Sequence, residues 1–271
     1  MTIPDNFAVA QLMREVASAE VLPRFRNLSA KDISQKSSGE LVTVADERAE
    51  AALEAGLSAL LPGSVVIGEE LTARDPAVLD AIDNHVGSMW IVDPVDGTQN
   101  FADGKTCFAM IVAYVRNGIT RAGWIFEPYA NRMISAELGQ GAWEGDLALK
   151  VSNRSELRHF RGSLNKRLRK KLGEAPVKSS STILSKMTRY ACVGAEYADL
   201  ARGKLDFAHY TGNLKPWDHA AGVLIHKEAG GFSAYADTIA SYVPAAPHTG
   251  RAIIMAPQKE AWYQLRDLTD V

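Results

Sequence analysis

Apolar residues recur every three or four positions across residues 5–26 (Phe7, Leu12, Val16, Val21, Phe25), which predicts an amphipathic helix with a kink at Pro23. Residues 46–60, rich in Ala and Leu, predict a second helix, closed by Pro62 and Gly63. The pattern then shortens. Val65, Val66 and Ile67 read as a strand that ends at Gly68, Glu69 and Glu70, and the unbroken apolar run 89–92 reads as a buried strand. Runs at 108–116, 120–127 and 132–138 are separated by turn residues (Asn117–Gly118, Pro128, Gly139 and Gly141), a meander pattern. From about residue 150, strand-like pieces alternate with helices expected at 185–203 and 218–229, which is α/β layering. This change of character predicts an α+β unit over 1–147 and an α/β unit over 148–271.

Composition narrows the class without changing this picture. The chain has 46% hydrophobic and 23% charged residues and a formal net charge of −2, so neither sign dominates as it would in a dedicated nucleic-acid or membrane-surface protein. Its two cysteines, Cys107 and Cys192, have no metal-ligand spacing and fit a reducing, cytoplasmic setting. Asp5, Arg14 and Glu15 interrupt the first helix with charge, unlike a signal peptide, and no apolar run approaches the roughly 20 residues that span a bilayer. There is no internal repeat, and the only low-complexity tract is the serine cluster 179–181.

Candidate chemistry concentrates at residues 93–98, Asp-Pro-Val-Asp-Gly-Thr. An apolar strand delivers two carboxylates into a Pro/Gly-punctuated turn; the plain alternative is an ordinary β-turn. Crowding carboxylates at the exit of a buried strand is costly unless a cation compensates. Gly97 lets the backbone approach an anion, and Thr98 supplies a hydroxyl and a helix cap. Glu69 and Glu70 follow a strand in the same way, although acidic pairs are commonly a solvated face. Asp218, in Pro-Trp-Asp-His-Ala-Ala-Gly, reads as a helix cap and also as a carboxylate able to face a metal. Its neighbour His219 lacks the second ligand that zinc requires. In the segment 36–46, Asp46 either begins a helix or polarises Thr98 or a water. Residues 154–171 carry eight Arg or Lys against one Glu, a solvated surface or a polyanion patch, with Phe160 the only aromatic side chain.

Four segments in order carry a resemblance: the Lys36…Leu41-Val42-Thr43…Asp46 element, Gly68-Glu69-Glu70, the run WIVDPVDGTQNF at 90–101, and WDHAAG at 217–222. Together they resemble the inositol monophosphatase family of magnesium-dependent, lithium-sensitive phosphatases, over roughly residues 5–260. The resemblance implies a layered α/β/α/β/α sandwich of the inositol monophosphatase and fructose-1,6-bisphosphatase type, assembled as a homodimer. It implies two or three Mg2+ per site, with Mn2+ a workable substitute. Glu69, Asp93 and the carbonyl of Val95 would hold the first ion; Asp93, Asp96 and Asp218 would hold the second. Gly97 and Thr98 would present amides to the phosphate, while Thr98, Asp46 and Glu69 would orient and help deprotonate the attacking water. Lys36 would lie in a loop near the site. The first unit would thus carry most metal ligands, and the second would add Asp218 and the substrate pocket.

Two positions depart from the family pattern. The glutamate that binds sugar hydroxyls, seven residues before the last metal aspartate, is Thr211 here, and the Gly-Ser/Thr-Ala substrate loop is Ala191-Cys192-Val193. The expected substrate-binding set is therefore Val95, Asp96, Gly97, Thr98, Ala191, Cys192, Val193, Thr211 and Asp218. The expected function is magnesium-dependent hydrolysis of a small phosphorylated metabolite, in its simplest form inositol 1-phosphate. Adenosine 3′,5′-bisphosphate, fructose 1,6-bisphosphate and histidinol phosphate are alternatives. A regulatory protein that meets RNA or a polymerase through residues 154–171 is the non-enzymatic alternative, although neither nucleic acid nor membrane is an expected partner.

Overall fold

The computed structural model describes residues 3–164, 168–170, 186–244 and 248–269. Helix α1 (Asn6–Val16) continues through a π turn (Ala17–Val21) and a 3-10 turn (Leu22–Arg24) that contains Pro23. A small hairpin, β1 (Ile33–Gln35) and β2 (Leu41–Thr43), leads into helix α2 (Val44–Leu60). Thr43 and Asp46 form a reciprocal cap at the start of α2, so the helix begins two residues before Asp46.

A seven-stranded sheet follows, ordered β3 (Val65–Gly68), β4 (Ser88–Asp96), β5 (Ala109–Arg116), β6 (Ile119–Glu127), β7 (Arg132–Glu137), β8 (Ala142–Glu144) and β9 (Leu147–Ala148). Strands β3 and β4 are parallel; the remaining neighbours are antiparallel, as the meander pattern predicts. Short helices α3 (Glu69–Arg74) and α4 (Asp80–Asn84) separate β3 from β4, and α5 (Thr98–Ala102) separates β4 from β5.

The second sheet has five strands in the order β11 (Lys186–Thr188), β10 (Arg161–Leu164), β12 (Phe207–Leu214), β14 (His248–Ala256) and β13 (Phe232–Tyr235). Helices α6 (Val193–Ala201) and α7 (Pro216–Glu228) lie between the sheets, and α8 (Lys259–Thr269) covers the outer face of the second. The result is the expected α/β/α/β/α sandwich.

Burial explains the unbroken apolar run of β4. Trp90 and Val92 enter the core beneath α1 and α2, whereas Met89 and Ile91 enter the core shared with α6 and α7. A strand covered on both faces cannot alternate apolar with polar residues. Helix α7 approaches so closely that a Cβ at Gly123 of β6 would lie 2.9 Å from the Ala221 Cα, a separation real side chains do not adopt.

One expected helix is shorter than its pattern suggested. Residues 186–188 form β11 in parallel with β10, and α6 begins only at Val193. Ala191 has a positive φ of 54° and Cys192 is extended, and neither conformation continues a right-handed helix. The serine cluster 179–181 and basic residues Lys166, Arg167 and Lys171 lie outside the described residues. Among the described residues, no helix is long and apolar enough to cross a membrane.

Candidate active site

A cavity of about 530 Å3 opens where the ends of β3 and β4 meet the starts of α5, α6 and α7. Its lining includes Glu69, Asp93, Val95, Asp96, Gly97, Thr98, Ala191, Cys192, Val193, Thr211 and Asp218. The residues expected to bind metal and substrate thus face one space. Glu69, Asp93 and Asp218 come closest: each offers a carboxylate oxygen, and these oxygens all lie within 4.8 Å of one another.

Each carboxylate is held by its own element. Glu69 is the first residue of α3, whose amide groups are met from outside. Glu50 of α2 accepts from the Glu70 and Leu71 amides at 2.7 and 2.6 Å. A Cβ at Gly68 would collide with that Glu50 carboxylate and push it from the amides it accepts from. Lys36 donates to Glu69 and Glu70 at 2.8 and 2.7 Å, bringing the β1–β2 turn against the site. Burial opposes the charge on Lys36, but the two carboxylates outweigh it and hold the amine above the usual lysine range. Burial pushes Glu70 up to about 8 despite Lys36.

Asp93 is 2% exposed, and its Oδ1 accepts from the Val95 amide at 3.1 Å. Burial, followed by the charges of Glu69, Asp96 and Asp218, raises its pKa well above the carboxylate range. Asp218 is raised in the same direction by burial and by Glu69 and Asp96, with Lys215 opposing. Asp96 turns partly aside: its Oδ2 accepts from the Gly194 amide at 2.5 Å and the Cys192 thiol at 3.0 Å. It borders the three-carboxylate group rather than joining it. The chemistry of the donor set, hard oxygens crowded where their charges repel, fits a small divalent cation such as Mg2+.

At the end of β4, Gly97 adopts a left-handed conformation, φ 85°, and caps α5. This turn points the Thr98 hydroxyl at the Asp46 Oδ1 (3.1 Å) and the Val95 carbonyl (3.0 Å). Asp46 also accepts from the Thr43 amide and hydroxyl, at 2.9 and 2.6 Å. Burial raises Asp46 to about 6, with the hydrogen bonds to Thr43 pulling in the opposite direction. Thr211 is exposed at the rim, while Cys192 is buried and its thiol is driven well above its ordinary value by burial.

Sequence reasoning missed Glu50, although a signal existed. Asp46 and Glu50 are four residues apart on one helix face beside buried Ala49, Leu53 and Leu57, an uncommon place for two acids without partners. It also missed the pairing of Glu40 with Lys215, 2.7 Å across the cavity mouth.

Residues 5–265 match the sequence pattern described as the inositol monophosphatase family. The chain belongs to that family. The inositol-1-monophosphatase of Mesorhizobium japonicum is 33% identical over 221 residues, covering 77% of each chain. The Nus factor SuhB of Xylella fastidiosa is 28% identical over 78% of this chain and 75% of its own. Among solved structures, the Thermotoga maritima IMPase superposes with a TM-score of 0.81 over 98% of this chain and 96% of its own, at 24% identity, which bears on the fold alone. Membership of this family supports a phosphatase, and metal dependence is general within it.

Proposed function

We propose that the chain is a magnesium-dependent phosphomonoesterase, acting most simply on inositol 1-phosphate. The observation that carries the reading is the convergence of Glu69, Asp93 and Asp218 beside the Gly97–Thr98 turn in one cavity. Glu69, Asp93 and Asp218 would hold Mg2+, with the bordering Asp96 and the Val95 carbonyl as further oxygen donors; the ion would neutralise ester charge and acidify the attacking water.

The protein's own groups do the rest. Asp46 takes the Thr98 hydroxyl hydrogen, leaving the oxygen lone pairs of Thr98 to accept from a water in the cavity. That water is thereby oriented toward phosphorus and relieved of a proton. The Gly97 and Thr98 backbone approaches the phosphate, and residues 191–193 with Thr211 form the wall that meets the alcohol portion. Lys36 holds the Glu69 carboxylate from the β1–β2 turn, donating to its Oε1 at 2.8 Å. The working form in this reading is a cytoplasmic, lithium-sensitive homodimer.

A regulatory role with RNA or a polymerase is the second reading, favoured by the likeness to Nus factor relatives. The basic segment gives it limited support. Arg154 and Arg161 bind Asp206 at 2.9 and 3.1 Å, and Arg158 pairs with Glu156, so these cations are committed within the fold. A panel of inositol 1-phosphate, adenosine 3′,5′-bisphosphate, fructose 1,6-bisphosphate, histidinol phosphate and p-nitrophenyl phosphate separates the readings. Phosphate release that needs Mg2+ and falls with lithium supports the enzyme; no release from any ester overturns it.

A further inference from the structure

Asn100 occupies the middle of α5, is 5% exposed and is not itself among the residues lining the cavity. Its carboxamide instead donates across the molecule, from Nδ2 to the carbonyls of Cys107 (2.8 Å), Tyr190 (2.8 Å) and Ala191 (3.2 Å). Two of these belong to the loop that supplies the substrate wall. Ala191 in that loop holds a left-handed backbone, φ 54°, which a residue with a Cβ adopts only when its surroundings impose it. The loop is gripped from the other side by Glu196, whose Oε1 accepts from the Tyr190 amide at 3.0 Å. In that shape, the Cys192 thiol and the Gly194 amide both reach Asp96.

We infer that Asn100 is a positioning residue: it imposes the left-handed turn at Ala191, and so ties the shape of the substrate wall to the turn that carries Thr98. An amide is suited to the task, because the two N–H hydrogens on its one nitrogen can be shared among the three carbonyls that converge there. A hydroxyl or carboxylate of similar size cannot do the same. The inference rests on the phosphatase reading for its effect on turnover, but the coupling between Asn100 and Ala191 does not.

Two measurements test it. The first is a urea-unfolding cycle of wild type, Asn100→Ala, Ala191→Gly and the double variant. Glycine adopts the left-handed turn unaided, so the loss of midpoint caused by Asn100→Ala should shrink markedly in the Ala191→Gly background. Equal losses in both backgrounds would overturn the inference. The second is p-nitrophenyl phosphate hydrolysis with Mg2+. Asn100→Ala should raise KM about tenfold with kcat within about threefold of wild type, and Ala191→Gly should restore much of the KM. An unchanged KM, or one that glycine fails to restore, would also overturn it. Absence of turnover in the wild type would count against the phosphatase reading and leave the unfolding cycle to decide. If Asn100→Ala does not fold, Asn100→Ser, with a single donor, runs through the same cycle with the same criteria.

Discussion

The Thr98 hydroxyl donates to Asp46 at 3.1 Å, joining residues 52 apart in sequence and linking the start of α5 to the start of α2. In the proposed chemistry this bond turns threonine into a water-orienting group. Thr98→Ala and Asp46→Asn should each lower kcat by about 10²-fold, with little change in KM, as expected for general-base assistance. Steady-state kinetics on the best ester of the panel checks this.

The same pair predicts a pH limb. Burial raises Asp46 to about 6, so below that pH its carboxyl group is already protonated and cannot take up the proton that Thr98 passes on from the water. Activity should rise through about pH 6, and Asp46→Asn should flatten that limb. A limb unaltered in the variant would place the titration elsewhere.

Glu50 predicts a metal phenotype from a residue that needs no contact with metal. Its carboxylate receives the Glu70 and Leu71 amides and so fixes where Glu69 begins α3. Glu50→Gln replaces one accepting oxygen with a donor facing an amide hydrogen. Calorimetric titration with Mn2+ should show about 10-fold weaker binding, in the range found for residues that orient metal ligands.

Three buried histidines contribute to acid sensitivity. His226 is fully buried, and burial lowers it to about 3, with His219 also near 3 and His209 near 4. An unfolded histidine has a pKa of about 6.5, so between roughly pH 4 and 6.5 the unfolded chain binds protons that the folded chain refuses. Stability contributed by their neutral forms is complete above that window and is lost as pH falls through it. His226→Phe should reduce the slope of unfolding free energy against pH by up to about 1.4 kcal/mol per pH unit. Chemical denaturation at several pH values reads it directly.

Arg202 clamps α6 to the first sheet. Its guanidinium, 6% exposed, meets Glu127, Glu144 and Asp199 at 2.6, 2.8 and 3.4 Å. Arg202→Ala strands these half-buried acids and should cost about 3 kcal/mol of stability. A thermal or urea midpoint near that of the wild type would contradict it.

The legibility of these features follows their range in the chain. Strand β4 and its turn are readable because their causes are local: both faces of β4 are covered, and Pro94, Gly97 and Thr98 shape the turn themselves. Glu50 is harder to read because its partners are backbone amides 20 and 21 residues away, which leave no side-chain pattern. Strand β11 escapes the pattern for a related reason. Three residues carry too little periodicity, and it is pairing with β10 that makes them a strand. The turn at Ala191 depends on Asn100, 91 residues earlier, and no local signal announces a left-handed alanine.

The central claim is that Glu69, Asp93 and Asp218 form a cation site that drives phosphate release. Phosphate release by wild type and Asp93→Asn, assayed beside Mn2+ titrations of the same samples, tests it most directly. The account predicts Mg2+-dependent turnover by wild type, and loss of both turnover and Mn2+ binding in the variant. Turnover that survives in Asp93→Asn, or wild-type turnover undiminished by a chelator, would contradict it.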